Sequence, residues 1–240
     1  DSAPGANEQP DGGSGVDQGG PDMAPPYPAW NPASPAICGQ PAYTWQPTAN
    51  VGAVLQVSSN LLDVSKIIIS GVEVAAYLGS QLNVHRSPAY SVHTATIRYQ
   101  TQDRGKLVDA TAMVTWPTAS GKKFPVILFL HPTLGYTDGC APSAKKGDIT
   151  APMTIFSLIA ASAGYVAVFP DYLNMKSLGK ASTHVLPYLL LEPTALASLD
   201  AVRAAQTYLT QNESVSATND VYVWGPSQPP QALLSPTAIQ

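Results

Sequence analysis

The pentapeptide Gly225-Pro226-Ser227-Gln228-Pro229 directly follows the apolar run Val221–Trp224. A serine on a sharp turn between a buried strand and a helix exposes its hydroxyl, which a neighbouring base can activate as a nucleophile. The pattern of such a turn, Gly-x-Ser-x-Gly, is matched at Gly225 and Ser227, whereas Pro229 replaces the second glycine. Early helix positions tolerate proline. Ser227 is therefore a candidate nucleophile, and the alternative is a serine that caps a helix.

A second candidate motif, His131-Pro132-Thr133-Leu134-Gly135, directly follows the apolar run Val126–Leu130. Backbone N–H groups in a loop at this position can stabilise the negative charge that develops on a carbonyl oxygen under attack. Pro132 has no N–H, so Thr133 or Leu134 would donate, together with the N–H of Gln228. We interpret His131 as a structural residue that holds the loop rather than as the catalytic base.

The elements around these motifs alternate between strands and helices. Val92–Tyr99 and Leu107–Trp116 predict two strands of a hairpin, joined by a turn at residues 102–105. The apolar runs Val126–Leu130, Tyr165–Phe169 and Val221–Trp224 are typical of strands buried on both faces. Pro152 and Gly164 bound one predicted helix, and Pro193 opens another with Leu196, Leu199, Val202, Ala205 and Leu209 on one face. This order predicts an α/β fold, a mostly parallel sheet with flanking helices.

Composition and charge restrict the classes of function. The net charge of −4, without any cluster of Lys and Arg, argues against nucleic-acid binding. No apolar run approaches the length of a membrane-spanning helix, about 20 residues. Residues 1–36 contain six Gly, eight Pro and five acidic residues but no Lys or Arg. We expect 1–36 to be a disordered leader, 37–90 an N-terminal extension and 91–240 a partial catalytic-type domain.

The two cysteines, Cys38 and Cys140, lie far apart in the sequence. A disulfide between them would close a long loop and stabilise the fold by a few kcal/mol. The Pro/Gly-rich acidic leader favours export and therefore this disulfide, and the alternative is two reduced thiols in a cytosolic enzyme.

Several of these pieces together resemble the secretory lipase family of α/β-hydrolases. The matching segments run from Arg98-Tyr99 onward and include His131–Gly135, Thr137–Pro142, Gly164–Leu173, Pro187–Leu189, Glu192–Ala195, Leu199–Ala204, and Gly225 with Ser227-Gln228. The resemblance implies an extracellular or cell-surface enzyme that cleaves carboxylic esters, often of lipids, without metal or cofactor. It makes Ser227 the nucleophile and Gln228 an oxyanion-hole donor, and leaves the oligomeric state open.

The acid and base that would activate Ser227 are not evident in this chain. In this fold they follow the nucleophile in the order Asp or Glu, then His, but residues 228–240 contain none of the three. Asp171 and His184 are the upstream alternative, although we expect Asp171 to anchor its own loop by local hydrogen bonds. We therefore expect a truncated serine esterase that does not turn over substrate as these 240 residues alone. The alternative is a noncatalytic pseudohydrolase that binds a lipid or a partner.

Overall fold

The computed structural model describes residues 45–62, 89–148 and 150–225, which form one six-stranded sheet with a helix against each face. The strands are β1 (Val54–Leu62), β2 (Val92–Asp103), β3 (Lys106–Pro117), β4 (Lys123–Phe129), β5 (Val166–Pro170) and β6 (Ser216–Trp224), and the helices are α1 (Pro152–Ser162) and α2 (Leu191–Asn212). Short 3-10 turns occur at Thr48–Asn50, Asp138–Cys140 and Pro142–Lys145. Within these ranges no helix combines the length and the apolar character needed to cross a membrane.

The predicted hairpin is confirmed and is longer than expected. Strands β2 and β3 pair antiparallel from Val92 opposite Pro117 to Asp103 opposite Lys106. Arg104 and Gly105 between them have φ angles of 49° and 73°. Two consecutive residues with positive φ are typical of a type I′ turn, whose twist matches that of the flanking strands.

The strand order in the sheet is β1-β2-β3-β5-β4-β6. Strands β5, β4 and β6 pair in parallel, and the remaining neighbours pair antiparallel, so the sheet is mixed. β1 belongs to the predicted N-terminal extension and pairs with β2. The connection through α1 leads from β4 to β5, and the connection through α2 crosses to β6 on the other side of β4. The sheet therefore reverses its winding direction at β4, which is where ligands bind in open α/β sheets.

The two faces of the sheet bury different sets of side chains. One face, covered by α2, buries Val114, Leu128 and Val168, and the other, covered by α1, buries Met113, Phe129 and Phe169. The prediction that residues 126–130 and 165–169 form strands buried on both faces is confirmed. The buried positions of α2 include four alanines, which let the helix approach the sheet closely: Ala197, Ala201, Ala204 and Ala205.

Two details differ from the expectation. Leu196 and Leu199 are only half-buried, because the buried face of α2 centres on its alanines. The strand predicted at 221–224 is confirmed as the end of β6, but the prediction that it is buried was wrong. In the described part of the chain β6 is the outer strand of the sheet, and Tyr222 and Trp224 are 59% and 38% exposed.

Candidate functional site

The two predicted motifs begin side by side at the carboxyl edge of the sheet. β4 and β6 are parallel neighbours with Phe129 opposite Trp224, and the Leu130 N–H donates to the Trp224 carbonyl at 2.8 Å. The chain leaves β4 at His131 and leaves β6 at Gly225 on the same edge. Ser227 and Gln228 lie outside the described residues, so their roles stay predictions. The pairing of β4 with β6 places Gly225, where the segment carrying Ser227 starts, next to the start of the loop 131–135.

The loop 131–135 turns from a buried residue to exposed ones. His131 is only 2% exposed, whereas Thr133 and Leu134 are both exposed. The Thr133 hydroxyl lies 3.0 Å from the Tyr188 hydroxyl, which ties the loop to the segment before α2. The side chains of Thr133 and Leu134 therefore lie at the surface of the carboxyl edge.

The His131 ring orients the first peptide of this loop. Its Nδ1 lies 2.7 Å from the Pro132 carbonyl oxygen, which can only accept, so Nδ1 must donate. Burial lowers the pKa of His131 to about 4, against the opposing effect of the backbone groups of Pro132 and Asp171. The ring is therefore neutral at pH 7 with its proton on Nδ1. Nε2 is a buried acceptor without a hydrogen-bond partner among the described residues.

Tyr172 holds His131 from the loop that follows β5. The two rings stack with centroids 4.1 Å apart, and the Tyr172 hydroxyl donates to the His131 carbonyl at 3.0 Å. Tyr172 has a φ of 64°, a left-handed backbone that non-glycine residues rarely adopt. Conformations of this kind cost on the order of 1 kcal/mol and cluster at functional sites. The contact between Tyr172 and His131 was not foreseen, although polar residues directly after a buried strand were a signal for it.

Asp171 anchors the same region through a buried polar cluster. Its Oδ1 accepts the Ser143 N–H at 2.9 Å, and its Oδ2 accepts the Thr111 hydroxyl at 2.5 Å and also the Ser143 hydroxyl. The Ser177 hydroxyl continues the cluster through Ser143. Asp171 therefore anchors its loop as expected, but through Thr111 and Ser143, which are distant in the sequence, and not through the local hydrogen bonds that were predicted. His184, in contrast, is exposed and hydrogen-bonds its neighbour Thr183, so the structure does not bring Asp171 and His184 together.

Burial gives Asp171 and His131 opposite effects on stability as the pH changes. Burial raises the pKa of Asp171 from 3.8 to about 7, against hydrogen bonds from Ser143 and Thr111 that lower it. Its contribution to the free energy of unfolding is thus fully present below pH 3.8 and is lost as the pH rises through 7. The pKa of His131 is lowered from 6.5 to about 4, so its contribution is lost as the pH falls through 4.

We expect Asp171→Asn to remove the pH dependence of stability that the raised pKa of Asp171 causes. The stability advantage of the wild type over this variant should shrink between pH 5 and pH 7, by at most about 1.4 kcal/mol per pH unit. Urea unfolding at pH 5, 6 and 7 measures it. Asp148→Asn is the control, because hydrogen bonds to Thr150 lower the pKa of that exposed carboxyl and keep it ionised throughout this window. A pH-independent difference for Asp171→Asn would contradict the prediction.

Gly135 and Cys140 pack closely at the end of the loop. Gly135 has a φ of 135°, and a Cβ at this position would overlap the Cys140 Sγ. Hydrogen bonds from Thr137 lower the pKa of the Cys140 thiol. Cys38 lies outside the described residues, so the disulfide stays a prediction. Among the described side chains, no three His, Cys, Asp or Glu come together as metal ligands would.

Comparison with solved structures finds esterases among the proteins of similar fold. No protein-family model matches the chain, and no curated protein matches it. Among solved structures, a ligand-bound form of the rice cell wall degrading esterase LipA from Xanthomonas oryzae superposes with a TM-score of 0.56 at 26% identity. A protein from Legionella pneumophila for which a hydrolase activity has been suggested superposes with a TM-score of 0.55 at 22% identity.

These matches cover most of this chain but less than half of the neighbours. The LipA match spans 74% of this chain and 42% of LipA, and the Legionella match spans 72% and 43%. The helices on both faces and these superpositions agree with the fold class expected from the sequence, although the sheet is mixed where a mostly parallel one was predicted. The chain has an α/β-hydrolase-like fold, of which it spans a part, and its structural neighbours include esterases.

Proposed function

We propose that this chain carries the nucleophile and the oxyanion-hole loop of a serine carboxylic-ester hydrolase of the secretory lipase family. Ser227 is the nucleophile, and the N–H groups of Gln228 and of Thr133 or Leu134 stabilise the oxyanion. The observation that supports the proposal is the 2.8 Å hydrogen bond from the Leu130 N–H to the Trp224 carbonyl, which joins the ends of β4 and β6. The likeness to the esterase LipA supports ester hydrolysis as the chemistry.

The proposed reaction proceeds through an acyl-enzyme. The Ser227 hydroxyl oxygen attacks the ester carbonyl carbon, while a base takes the hydroxyl proton and returns it to the departing alcohol. Water then attacks the acyl-enzyme and releases the carboxylic acid and free Ser227. The oxyanion formed in each step needs two N–H donors aimed at one point. The two adjacent loops at the carboxyl edge would supply one donor each.

The surroundings of the loop favour an apolar substrate. Tyr136 and Tyr188 pack edge to face with ring centroids 5.3 Å apart, beside Thr133. The segment before α2 and the first residue of α2 expose further large apolar side chains: Val185, Leu189, Leu190 and Leu191. Such surfaces suit the acyl chain of an ester or lipid better than a charged ligand. We also propose an extracellular or cell-surface location, which the Pro/Gly-rich acidic leader supports.

A noncatalytic pseudohydrolase is the second candidate. Pro226, Pro229 and Pro230 around Ser227 favour it. Such a protein would keep the apolar surface at the carboxyl edge and bind a lipid or partner there. It would not activate the Ser227 hydroxyl, because a serine without a base is a poor nucleophile.

Covalent labelling separates the two candidates. A fluorophosphonate probe forms a Ser Oγ–P bond and releases fluoride only where the serine is activated. We expect the product of the complete reading frame to be labelled once, at Ser227, with heat-denatured protein as the unlabelled control. Peptide mass spectrometry locates the adduct. No adduct, or an adduct on another serine, would contradict the proposed function and favour the pseudohydrolase.

A further inference from the structure

We propose that Tyr172 and His131 are a pair of positioning residues that aim the Thr133 N–H at the oxyanion, an inference that rests on the proposed function. Neither residue need touch the substrate. Tyr172 is buried in the loop after β5, and His131 is buried at the start of the loop after β4. Their joint effect would be on the direction of one backbone peptide.

The argument starts from the planarity of the peptide between Pro132 and Thr133. In a trans peptide the C=O and the following N–H point in opposite directions, so fixing one fixes the other. The His131 Nδ1 donates to the Pro132 carbonyl at 2.7 Å and thereby fixes the C=O. The Thr133 N–H must then point away from the His131 ring. Because Pro132 itself has no N–H, Thr133 is the first donor that the loop can offer.

Tyr172 in turn limits the freedom of His131 at two points. Its ring stacks on the imidazole at 4.1 Å between centroids, and its hydroxyl fixes the His131 carbonyl at 3.0 Å. Burial raises the pKa of the Tyr172 hydroxyl, which keeps it protonated as a donor. The hydrogen bonds of the neighbouring Asp171 hold the backbone here, although Tyr172 has a left-handed conformation. Contacts therefore connect the loop after β5, through Tyr172 and His131, to the peptide that carries the Thr133 N–H.

If the two residues act in this way, substitution of Tyr172 should lower kcat without weakening substrate binding. In the product of the complete reading frame, Tyr172→Phe keeps the stacking but loses the bond to the His131 carbonyl. We expect kcat for p-nitrophenyl butyrate to fall about tenfold with KM unchanged within twofold, because a misaimed donor stabilises only the transition state. Tyr99→Phe is the matched control. It also removes a buried tyrosine hydroxyl bonded to a carbonyl, that of Ala197 at 2.7 Å, away from the loop. Its kcat should equal that of the wild type.

A second pair of variants tests these contacts if Tyr172→Phe does not fold. The amide nitrogen of asparagine can occupy the place of Nδ1, so His131→Asn should retain most of kcat while His131→Leu loses about tenfold. Equal kcat values for these two variants, or a wild-type kcat for Tyr172→Phe, would overturn the inference. Ser227→Ala is measured alongside. Wild-type activity in that variant would instead overturn the proposed function, and this inference with it.

Discussion

Ser227→Ala is expected to lower kcat for p-nitrophenyl butyrate by about 10⁴-fold or more in the product of the complete reading frame. Removing the nucleophile of a serine hydrolase leaves only the acceleration that the oxyanion hole and substrate binding provide over the uncatalysed reaction. KM should change little, since the hydroxyl contributes little to ground-state binding. Steady-state hydrolysis followed by absorbance measures both constants.

Ser157→Ala provides the matched control for this loss. The Ser157 hydroxyl is buried and bonds within α1 to the Thr154 carbonyl at 2.8 Å, so its removal should leave kcat unchanged. If Ser227→Ala retained more than a tenth of the wild-type kcat, the nucleophile would have to be another group. The sheet would keep its fold in that case, because the assignment of the fold does not depend on Ser227.

The regular elements near the site were predictable because their signals are local. The apolar runs at 126–130 and 165–169 indicate strands buried on both faces, and Pro152 and Gly164 bracket a helix that ends at Ser162. The turn before Lys106 is signalled by Gly105, which has positive φ. Each of these features depends on a few consecutive residues, and the pattern of apolar residues indicates which of them are buried.

The features that depend on distant contacts were not predictable. β1 comes from a segment without a clear period, because it pairs with β2 on one side and its burial is only partial. The exposure of Tyr222 follows from the position of β6 in the strand order, which no local pattern encodes. The stacking of His131 on Tyr172 joins residues 41 positions apart. The sequence shows that each of these polar residues follows a buried strand. Whether their rings meet depends on the order in which the two strands lie in the sheet.

Asp171→Ala is expected to lower the free energy of unfolding by about 3–5 kcal/mol. The carboxyl is fully buried and accepts from the Ser143 N–H, the Ser143 hydroxyl and the Thr111 hydroxyl. Alanine would leave these donors buried without an acceptor, and each unsatisfied group costs about 1–3 kcal/mol. Urea denaturation at pH 6 measures the loss, and Asp171→Asn, which keeps one carbonyl acceptor, should cost much less.

A double-mutant cycle with Thr111→Val separates this polar cluster from a simple loss of packing. In the wild type, Thr111→Val removes a hydroxyl that donates to Asp171 at 2.5 Å and should therefore destabilise the protein. In the Asp171→Ala background the same hydroxyl has already lost its acceptor, so Thr111→Val should cost less there, and the main loss is the bond that the hydroxyl accepts from the Ser177 N–H at 3.2 Å. A coupling energy of about 1 kcal/mol or more between the two positions is expected for groups in one buried network. Additive effects would mean that Asp171 stabilises the loop after β5 by filling space, and that its hydrogen bonds contribute little.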